Sequence, residues 1–230
     1  MVALAPSSAA RAEQFVVVPA ATRFGGVPAI GWTRVAMVLR ALQGEKRAVV
    51  LVELVAAGQI VIDWARRSYW WTSQPAAFPI DPRVARIRLA RGDDAEVPFV
   101  QEQPGKLDAL LWYIGRAAFP GSAAWWLVEG DRYRLAQWPN FTEIVHDPSE
   151  VRMAALLAST PMTAAELAAA AGVALDSAQA LVNTLDLMDL LVVVPGAGSP
   201  IVANAVADEE PATATAPSGL FARLRARMGR

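Results

Sequence analysis

The sequence predicts an α+β fold in which two tandem helix-strand-strand units with antiparallel hairpins precede a small module of three short helices and a strand, then a flexible tail. Three observations predict it. Apolar residues recur twice at helical spacing, each stripe leads into β-branched or aromatic runs broken by glycine turns, and capping signals crowd the stretch from Asp147 to Gln179.

Residues 1–13 read as a disordered N-terminus. Ala9, Ala10 and Ala12 resemble a leader cleavage region, but no positive charge precedes Val2 to Ala5 and that stretch is short for a leader core. An α+β domain is expected over 14–146. Gln14 to Val18 reads as a short strand. From Gly31, Trp32, Val35, Ala36, Leu39 and Leu42 share one helical face and Gly44 ends the helix. Ala48 to Val55 and Gln59 to Trp64 then form a hairpin about the Ala56 to Gly58 turn. Val84 to Leu89 alternates like a half-exposed strand, with Glu96 to Val100 as its expected partner.

The same order returns as an internal repeat. Leu107, Leu110, Leu111, Ile114 and Ala118 form a second helical stripe closed by Pro120 and Gly121. Ala123 to Val128 and Tyr133 to Trp138 are then expected to pair through a Gly130-Asp131 turn. In the third segment, 147–195, Asp147, Pro148 and Glu150 open a helix, Thr163 and Glu166 form a capping box before Ala164 to Ala171, and Gly172 stops that helix. Asp176 with Gln179 is expected to cap a third helix, Ser177 to Met188, ahead of a strand, Leu190 to Val194. Residues 196–218, with their prolines and the cluster Asp208, Glu209 and Glu210, read as a flexible linker. In 219–230, Leu220, Phe221, Leu224 and Met228 line one face of a basic amphipathic helix; Arg223, Arg225, Arg227 and Arg230 cover the other.

Composition narrows the chemistry. With 54% hydrophobic and 19% charged residues, 230 residues hold enough apolar surface for one or two cores. Net charge is -1, so bulk electrostatics give no pull toward nucleic acid or anionic lipid. Zero cysteines remove disulfides and thiolate chemistry and fit a cytoplasmic location; one histidine removes any site built on two imidazoles. The apolar window Ala48 to Ala65 carries Glu53, Gln59 and Asp63 and falls short of the ~20 residues of a bilayer crossing. No catalytic, metal or cofactor site is expected. His146 beside Asp147 and Ser149 has the residue types of a triad, but sequence neighbours rarely point at one another and Asp147 already caps a helix. Asp93 and Asp94 sit in turn chemistry after Gly92.

Tryptophan and arginine mark the expected partner-binding residues. Arg66, Arg67, Tyr69, Trp70 and Trp71 have the composition of interface anchors. If Trp125 and Trp126 lie in a strand, their indoles leave on opposite faces, one of them toward a partner or a second internal layer. Leu220, Phe221, Arg223, Leu224, Arg227 and Met228 of the tail fit a docking peptide, with a solvated end and marginal membrane-surface attachment as the alternatives.

Three short helices followed by a strand, with a glycine turn between the second and third helices, resemble the winged-helix family. That resemblance implies a fold and not a task. Between Val151 and Pro200 a single cation, Arg152, stands against Glu166, Asp176, Asp186 and Asp189, which disfavours DNA and favours a protein partner. The stretch Gly31 to Trp64, with Val38 and Leu39 in its helix, Lys46 and Arg47 before a strand, a glycine turn and a strand ending at Asp63, resembles the PATAN family. The resemblance implies a bacterial signalling adaptor, with a small GTPase or response regulator among its partners, and no catalytic residue. The sequence therefore points to a non-enzymatic regulatory or scaffolding adaptor that binds another protein. The alternative is a winged-helix transcription regulator that binds DNA.

Overall fold

A computed structural model of the chain describes residues 15–18, 30–72, 78–91 and 103–194. The mixture of helices and antiparallel strands makes it an α+β fold, as expected. The N-terminal residues 1–13, the expected strand Glu96 to Val100, the linker 196–218 and the tail 219–230 lie outside the described residues.

A six-stranded antiparallel sheet is built from β1 (Val16–Val17), β2 (Ala48–Leu54), β3 (Gly58–Asp63), β4 (Ser68–Trp71), β5 (Val84–Arg91) and β6 (Gly105–Lys106), in the order β1-β5-β2-β3-β4-β6. The expected β2-β3 hairpin is present, with Val50 opposite Ile62 and Val52 opposite Ile60. Alternation sends these residues, with Trp71, Ile87 and Leu89, to one face. There they pack on the buried stripes of α1 (Gly31–Ala41) and α2 (Leu107–Ala118). Val49, Leu51 and Val61 form a second cluster on the opposite face with Phe15 and Trp70.

The second expected hairpin does not form, and with it the internal repeat is lost. Ala123 to Val128 is not a strand. Gly130 does take the positive φ of a tight turn, at 89°, but β7 (Arg132–Leu135) pairs with β8 (Leu191–Val194). The reason lies in Asn183. Its Oδ1 accepts the Ala124 N–H at 2.8 Å, so a backbone donor that a ladder would need is already engaged, and its Nδ2 donates to the carbonyl of Ser122, just before the expected strand, at 2.9 Å.

The last segment holds α3 (Pro148–Ser159), α4 (Ala164–Ala171) and α5 (Leu175–Leu187), closed by β8. Both expected capping boxes are present at the starts of α3 and α4. At the third helix the expectation is corrected: α5 begins earlier, after Ala174, so Asp176 and Gln179 lie inside it and no side chain caps it. Gly172 at φ 65° and the Val173 N–H bonded to the Ala168 carbonyl turn the chain tightly enough for α5 to start at once.

Among the described residues this segment packs directly on the rest. The apolar cluster runs from the sheet through α2 into Leu181, Val182 and Leu185 of α5, and the β7-β8 pairing crosses the expected boundary at 146/147. Gly115 of α2 lies so close to α5 that a Cβ there would meet the Thr184 Cα at 2.6 Å. Arg116 reaches from α2 to Glu150 of α3 at 3.3 Å. No helix among the described residues is long and apolar enough to cross a membrane.

Candidate interaction surface

The sequence-predicted aromatic residues reach three different environments. In the tight β3-β4 turn the Asp63 carboxylate accepts the Arg66 backbone N–H at 3.0 Å and pairs with its guanidinium at 2.9 Å. Arg67 takes a left-handed φ of 52°, which turns its carbonyl onto the Leu107 N–H at 2.9 Å, at the start of α2. Its guanidinium pairs with Asp108 and lies 5.6 Å from the Trp64 ring centroid. The two arginines are exposed but engaged at home.

Alternation then separates the next three residues. Trp71 turns inward, donates to the Ala57 carbonyl at 2.6 Å and meets Trp32 and Phe78 edge-on. Half-buried Tyr69 lies against Gly105, and burial raises its phenol above the usual range. Trp70 turns to the other face, onto the Val49 cluster.

Trp125 and Trp126 do not leave on opposite faces, because the strand that argument needed is absent. Both rings are half-buried, stand edge-on to each other and to Phe119, and form one aromatic knot. The Trp126 indole donates to Asp186 Oδ2 at 2.8 Å, and Arg40 Nε meets the same oxygen at 2.8 Å. Burial pushes the Asp186 carboxyl upward, while Arg40 and the Trp126 N–H pull it back. Gln43 adds a bond to the Leu187 carbonyl at 3.1 Å. These groups are a buried seam that fixes α5 to α1 and to the 122–127 turn.

That seam bears on nucleic-acid recognition. Ala178, Leu181, Val182, Asn183, Thr184, Leu185, Asp186 and Leu187 of α5 are buried, and the side chains it presents at its start, Leu175, Asp176 and Ser177, include no cation for a phosphate.

One aromatic side chain missed as a site residue is presented to solvent. Trp138, expected to end a return strand, lies in the loop after β7 and is 50% exposed; Val145 nearby is 68% exposed. Trp138 is edge-on to Phe141 at 5.9 Å, and Phe141 is edge-on to buried Trp112 at 5.8 Å. The Trp112 indole donates to the Val145 carbonyl at 2.9 Å, which fixes the far end of the loop. His146 packs on Phe141, and its Nδ1 lies 2.9 Å from the Ile144 carbonyl oxygen, so the histidine braces the loop and the triad arrangement is not formed. Lys106 pairs with Glu143, and Arg67 with Asp108, two residues from Lys106 along the chain. An exposed indole and valine result, in a loop that the Lys106–Glu143 pair ties to the start of α2. The available sequence signal was Trp138 followed by Pro139 and Phe141, an aromatic pair around a strand-ending proline.

Asp93, Asp94 and the tail residues Leu220, Phe221, Arg223, Leu224, Arg227 and Met228 lie outside the described residues. Among the described residues no group of three or more His, Asp or Glu is arranged to hold a metal ion. No protein-family model matches the chain, and neither a curated protein nor a solved structure does.

Proposed function

We propose that this chain is a non-enzymatic regulatory or scaffolding adaptor that binds another protein, with the Trp138 surface as a principal contact. The observation that carries the reading is a tryptophan left half exposed while its neighbours Phe141, Trp112 and His146 hold the loop in place. A braced indole offers large contact area with little side-chain entropy left to lose, the property of interface hot spots. The Lys106–Glu143 pair, with Glu143 in the same loop, supplies a polar border.

The three-helix and ribbon arrangement supports the winged-helix resemblance, used here as a protein-binding scaffold, since the exposed start of α5, Leu175, Asp176 and Ser177, carries an acid and no cation to meet a phosphate. A cytoplasmic location and a signalling protein as partner complete the reading, with the basic segment Gly219 to Arg230 as a second contact.

Affinity capture from source-cell extract tests it, with wild type compared against Trp138→Ala and Val145→Ala at unchanged far-ultraviolet circular dichroism. Proteins retained by wild type should be lost from both variants. Equal retention by all three, or salt-steep retardation of DNA by the wild type in a gel shift, overturns the proposal.

A further inference from the structure

We propose that β8 is a pairing edge for a second copy of this chain, giving a continuous four-stranded antiparallel sheet, β7-β8-β8-β7, centred on Val192. The directions of the backbone groups follow from the pairing of β7. The Tyr133 N–H donates to the Met162 carbonyl at 2.7 Å, and the Met162 N–H returns to the Tyr133 carbonyl at 3.0 Å, so Tyr133 bonds away from β8. The Ala136 N–H donates to the Leu190 carbonyl at 2.8 Å. With Arg134 opposite Val192 and Arg132 opposite Val194, alternation aims the backbone of Val192 and Val194 at β7. It aims the N–H and C=O of Leu191 and Val193 outward. Among the described residues no strand lies on that side.

Natural sheets guard such edges with lysine, bulges or inward charges. Leu190 to Val194 holds no charge, and Val192, Val193 and Val194 are 41%, 39% and 37% exposed.

Self-complementarity selects the occupant. Two outward residues flank one inward residue, so a two-fold axis through Val192 sets Leu191 opposite Val193 of the other copy, and Val193 opposite its Leu191. Both are hydrogen-bonded pairs, which gives four N–H···O bonds with no register slip, and every cross-strand pair is apolar. Pro195 follows directly and has no N–H to extend the ladder, which limits the pairing to the four residues of β8. So short a seam buries less than the roughly 1,200 Å² of standard interfaces, which makes this a weak, concentration-dependent dimer.

Analytical ultracentrifugation of the full chain over a wide concentration range tests the proposal. Wild type should pass from monomer to dimer. Val192→Lys and Val192→Glu each place like charges across the axis without touching the backbone, and each should weaken dimerisation by at least about tenfold. An equimolar mixture should restore the dimer, because lysine then faces glutamate. Val193→Pro deletes an outward N–H and spares the β7 bonds, so it should abolish dimerisation with the thermal melt retained. A wild type that stays monomeric to millimolar concentration overturns the proposal. So does dimerisation unchanged in Val192→Lys, or a charge-swapped mixture that stays monomeric, as it would if another segment or a foreign peptide occupied the edge.

Discussion

Gly115→Ala isolates the close approach of α2 and α5. In the interior of an exposed helix this change stabilises by about 1 kcal/mol, because alanine has the higher helix propensity. Here the new Cβ would lie 2.6 Å from the Thr184 Cα, 2.8 Å from its Oγ1 and 3.0 Å from its Cβ. Ordinary carbon contacts begin about 3.5 Å apart, so the helices must separate by roughly 1 Å. The nearest obstacle is backbone, which no rotamer change can remove. Overpacking of this kind costs about 1–3 kcal/mol. A rigid obstacle belongs in the upper part of that range, so after the propensity gain the net loss is about 1–2 kcal/mol. For a chain of this size that lowers Tm by about 2–8 °C. Thermal and urea denaturation followed by circular dichroism reads the effect. Thr184→Ala in the same chain should not rescue it, since the Cα remains. A Gly115→Ala protein as stable as wild type, or more stable, would refute the reasoning and the α2–α5 packing with it.

Three further outcomes are expected. Trp126→Phe removes the donor to the buried Asp186 carboxylate and should cost about 1.5–3 kcal/mol in urea denaturation; a loss below about 0.5 kcal/mol would show that the bond is not formed in solution. Burial raises the folded-state Asp186 carboxyl above its ordinary value of 3.8, so stability present below that value declines as pH rises through the folded one. Asp186→Asn should therefore show a shallower fall of urea midpoint between acid and neutral pH, and identical slopes would contradict the assignment. Burial, with the Asp131 and Asp186 carboxylates adding to it, pushes the Tyr133 phenol up to about 12. Its contribution is then complete below the ordinary value of 10.0 and is lost toward pH 12, so Tyr133→Phe should lessen alkaline destabilisation and remove a phenolate absorbance that rises near pH 12.

What was legible in the sequence was local. The Thr163–Glu166 capping box closes within one helical turn, with the Glu166 N–H on Thr163 Oγ1 at 3.2 Å and the Thr163 N–H on Glu166 Oε2 at 2.8 Å, and needs nothing distant. The stripes of α1 and α2 and the β2-β3 hairpin follow periodicity in the same way. Ala123 to Val128 departs from the expected strand through contacts about sixty residues away, where Asn183 takes the Ala124 N–H and the adjoining Ser122 carbonyl, and the Val-rich β8 supplies the partner that β7 lacks. β4 is a strand that the run Ser68 to Trp71 carries in its aromatic β-propensity as well as in its interface-like composition.

The aromatic residues show where a sequence rule stops working. Alternation across a strand separates Trp70 from Trp71 as it should: one joins the Val49 face and the other the Trp32 cluster. Applied to Trp125 and Trp126 the same rule fails, because it holds only once a ladder fixes the backbone, and there the backbone is held by Asn183 and the rings by Phe119. Exposure is a further step removed. Trp112 and Trp138 flank the same phenylalanine, yet one is fully buried and the other half exposed. The difference is that Trp112 sits on the inner stripe of α2 and Trp138 in the loop that packs over it. Trp138, Pro139 and Phe141 mark an aromatic loop but not which ring it leaves outside; that is decided when the chain between β7 and α3 runs along α2, with Glu143 on Lys106 and the Val145 carbonyl on Trp112.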